Sequence, residues 1–276
     1  MISPLVHPTA VVHPKAQLDP SVRVGPYCVI GEGASIGPYT SLHNHVTVQG
    51  PCVIGAHNQI YPYAVLGADP QDLKYRGGAT SLVIGDHNQI REHATIHRGT
   101  EAGGGRTVIG SHCIIMVGVH VAHDCIIEDQ VIIANGSMLG GHCHLEFGAW
   151  LAGGVGVHHF VTVGTLGFVG GYSRITHDVP PFVLVEGSPA VPRTINVKGL
   201  MRRHWDAREI DRLRAAFRLI FRDQDTPAIE AIHQLRQEPD QAPHVLKLCA
   251  FLERMEMGIH GRQAERLRGS DSRTGS

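Results

Sequence analysis

The apolar positions of the first two thirds of the chain recur at every sixth residue. Val6, Val12, Leu18, Val24, Ile30, Ile36, Leu42, Val48, Ile54, Ile60 and Leu66 keep one phase without a miss. An amphipathic helix would repeat its apolar face at about 3.6 residues. A simple strand would alternate at about 2. Neither privileges a sixth residue. The phase breaks at GADPQDLKYRGGATSL, resumes at Ile84, Ile90 and Ile96, and breaks again at RGTEAGGGRT. From Ile109 it runs unbroken through Ile115, Val121, Ile127 and Ile133 to Ile175. Four residues after each aliphatic stands a mostly small residue, as at Ala10, Ala16, Val22, Cys28, Ala34 and Thr40, and later at Cys125, Val131, Ser137, Cys143 and Ala149. Large at one inward position and small at another is what a narrow interior needs to pack without voids.

This is the hexapeptide repeat of a parallel β-helix, in which three hexapeptides make one triangular coil. The pattern predicts a mainly β fold over residues 1–190, with inserted loops at 67–82 and 98–107. Helical grammar replaces it over 191–265. WDAREIDRLRAAFRLIFRDQ offers Asp206 as N-cap and Glu209 at capping-box spacing. Ile210, Leu213, Phe217, Ile220 and Phe221 then form a helical stripe. TPAIEAIHQL offers Thr226 as cap and Pro227 at the first helical position. PHVLKLCAFLERMEMG reads as a further helix ended by Gly258. This C-terminal α-helical region is a candidate cover for the open end of the solenoid. Residues 266–276, which contain GSDSRTGS, are expected to be disordered.

Composition changes the picture in two respects. The chain has 24 basic and 25 acidic residues, a formal net charge of −1, so no global field favours nucleic acid or a membrane surface. No stretch of about 18 apolar residues occurs, so no transmembrane segment is expected. The start, MISPLVHPTA, lacks the features of a signal peptide. Six cysteines without C-x-x-C spacing suit reduced, buried thiols of a cytoplasmic protein. Histidine is abundant, with 20 in 276 residues, and it titrates nearest neutral pH, which invites a functional reading.

The segment MVGVHVAHDC holds His120, His123 and Asp124. In the unbroken stretch, residues 18 apart stack one coil above another, about 4.8 Å apart. One coil beyond His123 is Gly141, and two coils beyond is His159. One coil beyond Asp124 is His142, and two coils beyond Ala122 is His158. His123, His142 and His158 therefore share one edge of the prism. His120 and His123 fall outside the inward positions. Three readings stand at this point: a metal site of neutral imidazoles, a general base oriented by a carboxylate, or solvent-exposed corner residues. The backbone N–H of Gly141 could supply an oxyanion donor, since glycine permits close approach. The two interruptions are candidate binding surfaces.

DPQDLKY, IREHATIHRGT, HVAHDC, GGHCHL, GVHHF, HDVPPFV and INVKGLMRRHW occur in this order. Over nearly its whole length the chain resembles the UDP-N-acetylglucosamine O-acyltransferases that start lipid A biosynthesis. The resemblance implies a left-handed winding and a cytoplasmic homotrimer with active sites between neighbouring subunits. It implies transfer of a 3-hydroxyacyl chain from acyl carrier protein to the glucosamine 3-hydroxyl of UDP-N-acetylglucosamine, in one direct step with no cofactor, no metal and no covalent enzyme intermediate. It makes His123 the general base, Asp124 its acidic companion and Gly141 the backbone donor. Asp72, Lys74, His120, His142 and His158 would hold the sugar nucleotide, with His97 and His159 beside them. Asn196, Arg202 and Arg203 would meet the nucleotide end, and Gly171 would limit acyl length. His159 stands where the family usually has Gln, Lys198 where an acidic residue is common, and GSPAVPR lacks the frequent GNxA wording. Two other readings share the scaffold. One is a related acyltransferase that acts on a 3-amino sugar nucleotide or acylates nitrogen. The other is a zinc enzyme of the hexapeptide carbonic anhydrase type.

Overall fold

Each inward aliphatic residue stacks on its counterpart in the next coil, and the sequence spacing gives the register. Val12 pairs with Ile30, and Ile109 with Ile127. Across the first interruption Ile54 pairs with Ile84, and across the second Ile84 pairs with Ile109. In the computed structural model, residues 5–267 are described, and the GSDSRTGS tail lies outside them. Among these residues three sheets form the faces of a left-handed parallel β-helix. The first face has nine strands and begins at Val11–Val12. The second has eight and begins at Gln17–Leu18. The third has ten and begins at Arg23–Val24.

The core is the column of inward residues, and most aliphatics from Val24 onward are fully buried. The first coil is the exception: Val6 is 40% exposed, because no coil among the described residues covers it from above. Two asparagines interrupt the small inward column. Asn58 Nδ2 donates to the carbonyl of Gly85 at 2.9 Å, and Asn88 Nδ2 to that of Gly110 at 2.9 Å. The Asn58 and Asn88 side-chain oxygens accept from the N–H groups of Asn88 and Cys113. A buried amide is tolerated because every one of its polar groups is bonded.

Each corner puts one residue in the left-handed backbone region, and this residue is often histidine or tyrosine. Tyr39, His57, His87 and His112 stack ring on ring at 4.7–4.9 Å along one corner. Tyr27, His45, Tyr63 and His93 do the same along another at 5.0 Å. Stacking offsets the cost of positive φ in a residue with a side chain. Much of the histidine excess is therefore structural, which corrects the functional reading of its abundance.

Both interruptions leave from one corner. The first lies between Val65–Ala68 of the first face and Ser81–Ile84 of the second. The second lies between Thr95–His97 and Arg106–Ile109. The strands reach further into both interruptions than the pattern indicates, because Gly67, Ala68, Ser81 and Leu82, and later Arg106 and Thr107, join the sheets. The two loops are joined to each other. The Arg98 guanidinium meets the Asp69 carboxylate and donates to Tyr75 Oη at 3.1 Å and to the Gly67 carbonyl at 3.0 Å. Glu101 accepts from the Gly78 N–H at 2.6 Å.

Extended structure continues past residue 190. Val183–Gly187 pairs antiparallel with Ala190–Ile195, and helices begin only with α1, Val197–Arg202, which the apolar pattern does not mark. Helices α2 (Ala207–Phe221), α3 (Ala228–Gln237) and α4 (Pro243–Glu256) follow. The Asp206–Glu209 capping box is formed as expected. The α3 cap is Pro227 rather than Thr226, since Pro227 has an extended ψ of 139° and helical geometry starts at Ala228. The α2 stripe Ile210, Leu213, Phe217 and Ile220 is buried against α3 and α4.

A C-terminal segment locks onto the last coil. The Asp178 carboxylate accepts from the N–H groups of Thr162 at 2.7 Å and Gln263 at 2.8 Å, and Arg262 donates to the Thr176 carbonyl at 2.6 Å. Burial pushes the Asp178 carboxyl up to about 6, although these N–H donors and the Arg262 charge pull it down. Native Asp178 therefore binds its proton more tightly than the unfolded chain does. Native stability should fall as pH rises from about 4 to above about 6, by at most about 3 kcal/mol. Asp178→Asn should remove that slope. Denaturant melts of wild type and variant between about pH 4 and pH 8 check this, and parallel curves would contradict it.

Candidate active site

The corner between the first and second faces gathers His123, Asp124 and His142, with His120 on the strand that leads into it. His120 lies at the outward position of the strand His120–Val121, and the chain then turns through Ala122, His123 and Asp124. Asp124 has φ of 59°, a conformation aspartate tolerates better than most residues. His123 Nδ1 lies 2.8 Å from Asp124 Oδ2. A carboxylate can only accept here, so Nδ1 carries a proton, and in the neutral ring the Nε2 lone pair is left free. The His123 side chain is 15% exposed and the Asp124 side chain 0%.

Asp124 is held from the second loop. Its Oδ1 accepts from Thr100 N–H at 2.9 Å, and its Oδ2 from the Thr100 hydroxyl at 2.6 Å. Its own N–H donates to Thr107 Oγ1 at 2.8 Å. Burial pushes the Asp124 carboxyl up, but hydrogen bonds from His123 and Thr100 outweigh it and hold the carboxyl below its usual range. Gly103 covers the carboxylate so closely that a Cβ there would fall 2.1 Å from it.

The coil spacing places the next residues as the ruler indicates. His142 donates its N–H to the carbonyl of His123 at 3.0 Å. Its Nε2 lies 3.9 Å from Asp124 Oδ2, and its ring stacks on Phe160 at 4.3 Å. Gly141 lies against the His123 ring, and its N–H makes no hydrogen bond among the described residues. The matching corner position elsewhere is often proline, as at Pro26, Pro38 and Pro62, so the coil ladder does not need this N–H. His158 Nδ1 donates to the His159 carbonyl at 3.0 Å, and the two rings lie 3.7 Å apart.

One coil back, His97 Nδ1 donates to the Asp69 carbonyl at 2.5 Å, and Thr95 Oγ1 lies 2.8 Å from His120 Nδ1. Burial lowers the pKa of both imidazoles, and for His120 the neighbouring His97 and His123 add to the effect. Both shifts favour the neutral rings.

A cleft of about 580 Å³ opens beside this corner, lined by Gln71, His120, His123, Met138, Gly156, His158, Arg174 and Thr176. Met138, Gly156 and Arg174 continue the outward column below His120. The same ruler, applied to His120 instead of His123, would have found them. A Cβ on Gly156 would meet nothing within 4 Å, so this glycine leaves a notch in the floor.

The structure does not gather every expected residue here. Asp72 and Lys74 sit in the protruding first loop, where Asp72 Oδ1 accepts from Lys74 N–H at 2.9 Å, and only their neighbour Gln71 lines the cleft. Gly171 is exposed at the corner between the third and first faces. Arg202 lies over the Trp150 ring at 5.3 Å, and Arg203 contacts Gln130 and the Phe147 ring. These two arginines belong to the third face and the corner between the second and third. Asn196 caps α1 through Oδ1 and donates to the Leu166 carbonyl through Nδ2, so both its side-chain groups are spent internally.

His123, Asp124 and His142 offer ligand atoms within 4.8 Å of one another. The Asp124 oxygens, however, already accept two donors from Thr100 and one from His123. That donor set fits an oriented imidazole better than a metal ligand.

A stacked solenoid with an imidazole–carboxylate pair at one corner defines a hexapeptide-repeat transferase, and residues 106–141 match the bacterial transferase hexapeptide model. Residues 178–260 match the model for domain 2 of UDP-N-acetylglucosamine O-acyltransferase. A Synechocystis acyl-[acyl-carrier-protein]–UDP-N-acetylglucosamine O-acyltransferase is 48% identical over 253 residues, 92% of this chain and 91% of that protein. The Moraxella catarrhalis UDP-N-acetylglucosamine O-acyltransferase structure aligns with a TM-score of 0.86 at 40% identity, covering 89% of this chain and 95% of that one. The Arabidopsis UDP-N-acetylglucosamine acyltransferase structure aligns with a TM-score of 0.78 at 34% identity, covering 98% and 99%. The chain belongs to the UDP-N-acetylglucosamine O-acyltransferase family.

A Cβ at Gly141 would lie 2.5 Å from His123 Cε1 and 2.7 Å from Nε2. Gly141 is not among the glycines with positive φ, so its backbone would accept alanine and only the space forbids it. A crystal structure of Gly141→Ala should show an intact fold with the His123 ring displaced from Asp124. An undisturbed His123–Asp124 hydrogen bond would contradict the packing described.

Proposed function

We propose that the protein transfers a 3-hydroxyacyl chain from acyl carrier protein to the glucosamine 3-hydroxyl of UDP-N-acetylglucosamine, the first step of lipid A biosynthesis, with His123 as general base. The observation that carries this reading is the His123–Asp124 pair, which leaves the Nε2 lone pair of His123 at the cleft.

A sugar hydroxyl is a poor nucleophile. His123 Nε2 takes the 3-hydroxyl proton as the oxygen attacks the thioester carbonyl, a contribution of about 10²–10⁴-fold. The tetrahedral oxyanion forms against the Gly141 N–H, a donor worth roughly 3–4 kcal/mol. The carbon–sulfur bond then breaks, and the proton on His123 passes to the leaving thiolate. Buried Asp124 keeps the imidazole in the Nδ1–H tautomer and stabilises its transient charge. The transfer is direct. The Cys143 thiol beside the corner is a poor nucleophile, since burial raises its pKa well above the usual thiol value.

His120, His142 and His158 hold the sugar, with His97 and His159 behind them, and Asp72 and Lys74 reach over from the first loop. Arg202 and Arg203 pair with the diphosphate, and Asn196 acts through the helix end it caps. These arginines lie away from the His123 corner of their own subunit, so the site is completed by a neighbouring chain in a homotrimer. Gly171 limits acyl length from the corner it occupies. The unpaired buried cysteines suit a cytoplasmic setting.

His123→Ala should lower kcat by at least about 10²-fold in an acyl carrier protein assay. Activity within tenfold of wild type would remove His123 as base. Co-expressed His123→Ala and Arg202→Ala subunits should form mixed trimers more active than either variant alone. No recovery in mixed trimers would mean that the site lies within one subunit.

A further inference from the structure

The second loop, RGTEAGGGRT, has a local fold that a surface insertion would not need. Thr100 begins a short turn over Glu101–Gly103, and its carbonyl accepts from the N–H groups of Gly103 at 3.1 Å and Gly105 at 2.9 Å. A threonine at the start of a turn ordinarily spends its hydroxyl on a nearby backbone N–H of that turn. Here no such bond exists. The hydroxyl goes instead to Asp124 Oδ2 at 2.6 Å, and the Thr100 N–H goes to Oδ1 at 2.9 Å. Thr100 is 3% exposed, so water does not compete for either bond. Gly103 closes the arrangement from above, where any side chain would strike the carboxylate.

We propose that Thr100 is a positioning residue for the acyl transfer, acting on His123 through Asp124. The inference rests on the reading of His123 as base. A carboxylate bound only by His123 could rotate about its terminal torsion, and the imidazole would follow it. Two donors from one residue fix both carboxylate oxygens, which leaves Oδ2 aimed at His123 Nδ1. The insertion is in this view a clamp. It is tied in turn to the first loop by Arg98 and Glu101, so a disturbance of either loop reaches the base.

The test uses the full-length protein with Thr100→Val, which keeps the shape and removes the hydroxyl, and Thr100→Ser, which restores it. Thr100→Val should lower kcat by ~10-fold to ~10²-fold, the scale of a small misplacement of a reacting group, with KM for the sugar nucleotide nearly unchanged. Thr100→Ser should recover to within about threefold of wild type. In an Asp124→Ala background Thr100→Val should cost less than about twofold, because the two residues act through one contact. Thr100→Val within twofold of wild type, or with an undiminished cost in the Asp124→Ala background, would overturn the proposal. Nitrogen-15 NMR of the His123 ring separates this inference from the function it rests on. If wild type transfers no acyl chain, the function falls, but a single Nδ1–H tautomer that becomes mixed in Thr100→Val still supports the clamp. An unchanged tautomer in Thr100→Val would overturn the clamp.

Discussion

Every coil of the prism lays its backbone N–H groups on the carbonyls of the coil beside it, and this bonding decides which residues become neighbours at each corner. The inward aliphatics keep that register by packing column upon column, with Ile115, Ile133 and Leu151 all completely buried. A slip of one residue would turn an inward Ile outward and break the ladder at once. The site inherits this rigidity. His123 faces Gly141, and Asp124 faces His142, because Ile126 pairs with His144 and Ile127 with Leu145 one strand further on. The geometry of the proposed site thus depends on a buried aliphatic core behind it.

The corner is also the place where the coil can yield chemistry at little cost. Its left-handed residue has a side chain directed away from the ladder, and the residue before it carries an N–H that the ladder does not need. At two corners these freedoms go to stacked rings of tyrosine and histidine. At the third they hold the imidazole–carboxylate pair and the Gly141 N–H, which has no partner among the described residues. The same corner releases both loops, on the two coils just before His123. Insertions there leave all three faces continuous, so the fold can build a site at one edge without loosening its core.

The fold was legible because the six-residue phase is long and the inward positions tolerate few side chains. The His123, Gly141 and His142 neighbourhood was legible for the same reason, since an unbroken coil converts sequence spacing into distance. The ruler failed where the coil is interrupted. Thr100 and Gly103 sit in a loop with no phase, and nothing in their spacing points back at Asp124. Abundant histidine was misleading, because a ring that stacks at positive φ and a ring that takes a proton look alike in sequence. Arg202, Arg203 and Asn196 follow an antiparallel hairpin, Val183–Gly187 with Ala190–Ile195, which ends the repeat and resets direction. Their placement away from the His123 corner could be known only from the folded chain. No helix among the described residues is long and apolar enough to cross a membrane.

The account turns on what the His123 corner does to a thioester and a sugar hydroxyl held together in the cleft. Mass spectrometry with NMR of the product, made from UDP-N-acetylglucosamine and a panel of 3-hydroxyacyl carrier protein thioesters, tests it most directly. The expected product is the intact nucleotide sugar carrying a single acyl chain esterified at the 3-oxygen. Acylation of a 3-amino analogue alone, or no transfer from any thioester in the panel, would contradict it.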